Sequence, residues 1–306
     1  MTVRETIVRR VWCPGIKRRG RFAGYGFLLP TLLVLAGVVV LPLGFSLAVS
    51  FSSYTFIRPR FGRFQGIANY IAGLSNEYFW NSVWVTLRFV VMVVALEFVL
   101  GFGIALLLNR EIRFKGVFYT VLTMPMVMAP IAVGLIWKML LHPDLGIVNY
   151  VLSEIGLPPV DWLGSPGNAL ITLVLVDIWQ QISFMILVLL AGLVSLPKEP
   201  FEAATIDGAS PLQVFRFVTL PLMRPVIATA VLIRTIFAFR TYDLVYVMTR
   251  GGPGTSTDVI SYYIYKTTFM GLDLAQASAL SWVLLLVVLL MVVPLFRYLN
   301  VQSASL

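Results

Sequence analysis

The residues able to do chemistry are few, and most sit where charge is costly. Arg88 and Glu97 fall in one long apolar stretch, Asp177 in another, and Arg234, Arg240 and Asp243 in a third. An ionised group at the centre of a bilayer costs at least about 2.5–3.5 kcal/mol, so such groups turn towards protein or water and pair. Asp177, Gln180 and Gln181 recur at i, i+3 and i+4, which places them on one helical face, with Trp179 and Phe184 nearby. Arg240 and Asp243, three apart, share a face by the same spacing. Carboxylates, amides and aromatic faces together suit a neutral polyhydroxylated solute, whose hydroxyls need donors and acceptors and whose C–H faces stack on rings. Asp177, Gln180, Gln181, Phe184, Arg234, Arg240, Tyr242 and Asp243 are therefore the candidates for a solute path. The competing expectation is contact with neighbouring helices, and for Glu97, followed by Gly101 and Gly103, a helix–helix bond.

Other chemistries are removed outright. The lone cysteine, Cys13, and the lone histidine, His142, allow no internal disulfide, no Cys/His zinc cluster and no Cys–His nucleophile pair. A phosphate-binding loop needs Gly-Lys-Ser/Thr, yet Lys17, Lys115, Lys138, Lys198 and Lys266 follow Ile16, Phe114, Trp137, Pro197 and Tyr265. The chain cannot bind ATP in that way, so any energy comes from a partner or a gradient. A membrane-embedded enzyme fails because no metal or nucleophile constellation surrounds His142.

The elements that hold these residues are membrane spans. Of 306 residues 59% are hydrophobic and 12% charged, about half the charge of a soluble domain. A spanning helix needs about 20 mainly apolar residues, and six such stretches occur: roughly 27–51, 80–108, 117–141, 169–194, 222–247 and 277–299. Pro125 and Pro130 predict a bend in the third. This is an all-α, polytopic membrane protein with six transmembrane helices. It divides into a basic tail 1–26, a six-helix membrane domain 27–299 with its core at about 80–299, and a short C-terminus 300–306. Six spans put both termini on one side. Arg4, Arg9, Arg10, Lys17, Arg18, Arg19 and Arg21 of the tail, Arg110, Arg113 and Lys115, then Lys198, Arg216 and Arg224, and finally Arg297 share that side. Only Arg58, Arg60, Arg63, Arg250 and Lys266 lie opposite. The excess of basic flanks places both termini in the cytoplasm, and the positive net charge of +9 belongs to topology and lipid rather than to nucleic acid. The outer connections, about 53–79, 142–168 and 248–276, are rich in Gly, Pro, Asn and aromatics and read as ordered. Lys138 is expected to snorkel to the outer interface.

The cytoplasmic connection 196–221, LPKEPFEAATIDGASPLQVFRFVTLP, reads as two short helices with a break. Pro200 suits a first helical turn, and Glu199 and Glu202 lie where the helix dipole favours negative charge. Ala203 and Ala204 form helix with little bulk, so a partner surface can approach. Gly208 stands where the first helix stops, free to take φ > 0. Ser210 reads as an N-cap with Pro211 at the next first position, and Leu220–Pro221 as the bend into span five.

The spacing Glu202-Ala203-Ala204, three residues, Gly208, nine residues, Val218, one residue, Leu220-Pro221 resembles the EAA loop of ABC-importer permeases of the carbohydrate, maltose-transporter type. Val218 stands where that family more often has Ile. FQGIANYIAGLSNEYFWNSVWVTLRF, leading into span two, and DLVYVMTRGGPGTSTDVISYYIYKTTF, with its Gly-Gly-Pro turn, look like further family segments, so the resemblance covers roughly 60–275. It implies a type I ABC importer permease fold in a prokaryotic inner membrane, importing a sugar, oligosaccharide or polyol. It also implies a second, similar permease, two ATP-binding cassette subunits that hold ATP and Mg, and an extracytoplasmic solute-binding protein; this chain needs no cofactor of its own. Glu202, Ala203, Ala204, Asp207, Gly208, Leu220 and Pro221 become the residues that couple to the ATPase. The Gly251–Gly252–Pro253–Gly254 turn becomes a candidate contact for the binding protein. Glycerol 3-phosphate or a glycerophosphodiester is the alternative solute, and Arg58, Arg60 and Arg63 could steer such an anion. An ion-coupled secondary transporter is the alternative class. Such carriers commonly show inverted repeats and half-helices at the midplane, and neither is found in the sequence.

Overall fold

The computed structural model describes residues 27–303. The tail 1–26 with Cys13, residues 304–306, and the side chains of Leu295 and 297–303, Arg297 included, lie outside the described residues. The described chain is built of helices and one isolated antiparallel bridge between Ser52 and Phe64. In chain order we number them α1 (Phe27–Ser50), α2 (Ala68–Leu74), α3 (Glu77–Leu108), α4 (Lys115–Val127), α5 (Pro130–Leu140), α6 (Ile147–Glu154) and α7 (Pro166–Val194). There follow α8 (Glu199–Ile206), α9 (Pro211–Val214), α10 (Leu220–Phe239), α11 (Asp243–Met248), α12 (Ile260–Tyr265) and α13 (Leu274–Ser303).

The core forms where α3 meets α7. Asn76 caps α3 by accepting from the Tyr78 N–H at 2.9 Å, and Glu77 follows at the positive end of the helix dipole. One apolar cluster gathers Phe89 and Val93 of α3 with Leu173 and Val176 of α7 and Leu244 and Val245 of α11. A second gathers Phe102 and Ala105 with Met185, Ile186 and Leu189 of α7 and Met223 and Ala230 of α10. A Cβ at Gly101 would stand 2.9 Å from the Met185 Cγ, so a side chain there would push the two long helices apart. In its most apolar stretch α7 is 61% buried and α1 only 6%, which makes α7 the axis of the chain and α1 a peripheral rod. Exposed Val91, Val99, Leu286 and Leu290 on α3 and α13 face outward, as lipid permits and water does not.

Three features depart from the sequence reading. Among the described residues five helices are long and apolar enough to span, and six only if α4 and α5 are one broken span, bent by 98°. The expected bend is thus a break, and the statement that no half-helices occur is corrected by it. Pro130 lacks an N–H and forces its predecessor out of the α region: Met128 and Ala129 are extended, at ψ 142 and 131°. Second, Leu220–Pro221 is no bend. Helix α9 runs through a π turn, Phe215–Thr219, directly into α10. The Leu220 N–H reaches back to the Phe215 carbonyl, and this wider turn lets the chain pass Pro221 without interruption. Third, span five stops at Phe239, and Arg240–Tyr242 separates it from α11. Arg240 and Asp243 therefore do not share a helical face, and no ion pair joins them among the described residues.

The outer connections are ordered, each by a buried asparagine or glycine device. Asn69 donates to the Ser50 and Ser52 carbonyls at 2.8 and 2.9 Å. Asn149 donates to the Pro143 and Val160 carbonyls and accepts from the Val160 N–H and the Trp162 indole, closing the loop 143–162 around one side chain. Lys138 is exposed and donates to the Val247 carbonyl at 3.0 Å, near the C-terminal end of α11.

Candidate functional site

The break in span five and the break in span three meet at one cavity of about 360 Å³. Asp177, Gln180 and Gln181 of α7 form one wall and Arg234 of α10 another, while Arg240, Tyr242 and Asp243 come from the Arg240–Tyr242 break and the start of α11. Seven of the eight residues proposed for a solute path thus surround a single space. Phe184 does not; it packs edge-on against Phe237, ring centroids 6.0 Å apart, and Phe237, like Tyr242, lines the cavity. Trp179 is also turned away, 41% exposed and edge-on to Trp137. Two residues along a helix is more than half a turn, so Trp179 could not share the Asp177 face. Pro130, expected only as a bend, and Phe237, Thr241 and Leu244, unremarked in the sequence, complete the lining. The Pro130 and span-five breaks that bring most of them there are visible only once the chain is folded.

The floor of the cavity is an ion triad drawn from three helices. Arg234 donates through Nε and Nη2 to the two carboxylate oxygens of Glu97, the Nη2 contact at 3.0 Å, and through Nη2 also to Asp177 Oδ2. Glu97 is 0%, Arg234 2% and Asp177 4% exposed. The bidentate grip fixes the plane of the guanidinium, which a lysine could not do. Glu97 is indeed a helix–helix bond, but its partner, 137 residues away, is one of the solute-path candidates. Gln180, 1% exposed, donates at 3.0 Å to the Met128 carbonyl that the Pro130 break leaves without a helical partner. Irregular backbone is tolerated within a membrane where protein side chains satisfy it or a cavity borders it, and both hold here.

At the far end of α10 stands the exposed connection. Helix α8 carries Glu199 and Glu202 in its first turn, with Pro200 among its first residues. It ends at Gly208, whose φ is 71°. The Ala209 N–H reaches the Ala204 carbonyl at 2.9 Å and the Gly208 N–H the Thr205 carbonyl at 3.1 Å, the paired bonds of a left-handed helix stop. Ser210 and Gln213 then cap α9 reciprocally: the Ser210 N–H donates to Gln213 Oε1 at 2.7 Å, and the Gln213 N–H to Ser210 Oγ at 3.4 Å. Glu202, Ala203, Asp207 and Gly208 are exposed, Ala204 is half-buried, and Ile206 and Leu212 present large apolar surfaces, 86% and 74% exposed. Leu220 and Pro221 are half-buried within the continuous helix.

The Gly251–Gly254 turn is less available than expected. Gly251 is buried, with the Tyr262 ring 3.0 Å from where a Cβ would stand, and only Gly254 is exposed. Thr257 donates to the Gly252 carbonyl at 2.7 Å and pins the turn to the core. Beneath it Asp258 accepts from Lys266, and burial pushes its carboxyl above the usual range although the ammonium draws it back.

Residues 97–305 match the family described as binding-protein-dependent transport system inner membrane component. The chain is 38% identical over 267 residues to the trehalose/maltose transport system permease protein of Thermococcus litoralis, covering 87% of this chain and 90% of that one. It is 37% identical over 297 residues to a probable ABC transporter permease protein of Sinorhizobium fredii, covering 96% of each. Among solved structures, a chain of a bacterial alginate ABC transporter, crystallised with its alginate pentasaccharide-bound periplasmic protein, superposes with a TM-score of 0.79 at 26% identity, over 94% of this chain and 96% of that one.

Proposed function

Because this chain belongs to the family of inner membrane components of binding-protein-dependent transport systems, we propose that it is the membrane-spanning permease subunit of an ATP-driven importer for a sugar, oligosaccharide or polyol. The carrying observation is mechanical. From the Ser210 cap one helix runs through the π turn to Arg234 and Phe237, so the exposed connection and the cavity wall are two ends of one rod. A push on α8 crosses only the hydrogen-bonded turn Gly208–Ser210 before it enters the rod; a bend at Leu220–Pro221 would have absorbed it. Glu202, Ala203, Ala204, Asp207 and Gly208 present the surface that a partner ATPase presses, with Ile206 and Leu212 as its apolar contacts. Leu220 and Pro221 transmit the push as part of the rod.

The partners are then a second permease that closes the other side of the path and two ATP-binding cassette subunits that hold ATP and Mg. A solute-binding protein works on the outer face, and the printed partner of the alginate transporter relative, a periplasmic protein carrying a pentasaccharide, supports it. Both termini lie in the cytoplasm, as the basic flanks favour. The trehalose/maltose relative supports a carbohydrate, and a cavity offering carboxylates, amides, guanidinium groups and an aromatic ring suits its hydroxyls and C–H faces.

The test is uptake by the complete importer in proteoliposomes. Uptake requires ATP inside and withstands an uncoupler, and Asp177→Ala lowers it at least about tenfold, the worth of one or two hydrogen bonds to a charged group, while the subunits still assemble. Uptake that proceeds without ATP and collapses with the uncoupler would overturn the reading.

A further inference from the structure

Glu97 touches the solute path without lining it. It is fully buried, and its two oxygens occupy the Nε and Nη2 donors of Arg234, whose guanidinium together with Asp177 forms the cavity floor. Arg234 is thereby spent twice, on Glu97 and on Asp177. Counting the groups that face this space, Arg234 and Arg240 oppose Asp177 and Asp243 on the lining, and Glu97 stands directly behind. Counted as formal charges, the lining balances, and the buried carboxylate leaves one negative charge over.

We infer that Glu97 is a positioning and selectivity residue: by holding Arg234 against Asp177 it makes the cavity accept neutral polyhydroxylated solutes and reject anionic ones. This rests on the reading of the cavity as the solute path. A neutral sugar meets fixed acceptors on Asp177 and donors on Arg234 and the Gln180–Gln181 face, and loses nothing to net charge. A carboxylate, phosphate or sulfate must displace an existing carboxylate from Arg234, or pair with the exposed Arg240 on the lining against the surplus charge. At about 6 Å, with the effective dielectric of a partly buried site, one uncompensated like charge weakens binding on the order of a hundredfold. Arg58, Arg60 and Arg63 surround a separate hollow on the outer connection and do not reach this one.

The experiment uses the complete importer in nanodiscs, without its binding protein, so that selection upstream is removed. Equilibrium binding is measured for maltotriose and cellotriose against the uronic acid trimers trigalacturonate and trimannuronate. The wild type should favour the best neutral trimer over the best acidic one by about a hundredfold. Glu97→Gln should cut that ratio at least about tenfold, and Glu97→Asp, which keeps the charge, should preserve it even where stability falls. Should Glu97→Gln not assemble, Asp177→Asn removes a negative charge from the floor while leaving the Glu97–Arg234 bonds in place, and it should narrow the ratio likewise. An unchanged ratio in the assembled variants, with lowered stability alone, would make Glu97 a purely structural bond and overturn the inference. Acidic trimers binding the wild type as well as neutral ones would overturn it while leaving the carbohydrate reading intact. If no trimer binds at all, the reading of this cavity as the solute path fails and the inference with it.

Discussion

Gly208 isolates the mechanical claim from every other property of the chain. Its φ of 71° is a conformation L-residues avoid, and nothing stands within 4 Å of where its Cβ would be, so the effect of a substitution is conformational rather than steric. Alanine there carries the left-handed penalty of about 1–2 kcal/mol, which shifts the stopped conformation against alternatives by a factor of roughly 5–30. Proline is worse. Its ring holds φ near −65°, it deletes the N–H that reaches the Thr205 carbonyl at 3.1 Å, and it disfavours the conformation of Asp207 before it. A cost of at least about 3 kcal/mol shifts the stopped conformation against its alternatives by about a hundredfold or more. Residue 208 is exposed and remote from both apolar clusters, so membrane insertion and thermal stability should not change. The assay is ATP-driven uptake and solute-stimulated ATPase activity in proteoliposomes, with copurification of the ATPase as the assembly control. Gly208→Ala should lower coupled uptake roughly 5–30-fold, and Gly208→Pro should abolish it in an inserted protein. Normal uptake by Gly208→Pro in an assembled complex would show that this break does not transmit force.

Two further substitutions test the frame. Arg234→Met strands Glu97 and Asp177 together in a buried site and should destabilise the chain by about 3–5 kcal/mol. Glu97→Gln added to Arg234→Met should restore most of that, read as the midpoint of thermal unfolding in detergent; equal stability of the single and double variants would refute the account of the triad. Asn149→Ala removes four hydrogen bonds that close the loop 143–162. It should raise hydrogen exchange across that loop by an amount equivalent to about 1–3 kcal/mol while uptake coupling stays normal; unchanged exchange would show that the loop is held by other means.

Much of the fold is written in local spacing. Runs of about 20 apolar residues can only be spans, and Pro200, Gly208, Ser210 and Pro211 each act within a few residues of where they stand, so the helix stop and the Ser210 N-cap are readable in the sequence, while the reciprocal Gln213 bond is not. The i, i+3, i+4 face of Asp177, Gln180 and Gln181 was readable for the same reason. The same rule misled at Arg240 and Asp243, because it presumes an unbroken helix and the chain breaks between them. Pro221 misled in the other direction: proline usually ends a helix, but a π turn just before it spared the backbone the missing donor.

Composition, hydropathy period and the loop spacing by themselves determined a helical membrane permease, since each of those signals is carried by residues close together in the chain. Tertiary structure alone decided that Arg234 belongs to Glu97 and Asp177, that a broken third span meets a broken fifth at one cavity, and that the helix from the Ser210 cap is continuous with the cavity wall. Those facts depend on helices 57 and 137 residues apart in sequence packing side by side, and a single sequence carries no record of which buried charge its neighbour will be.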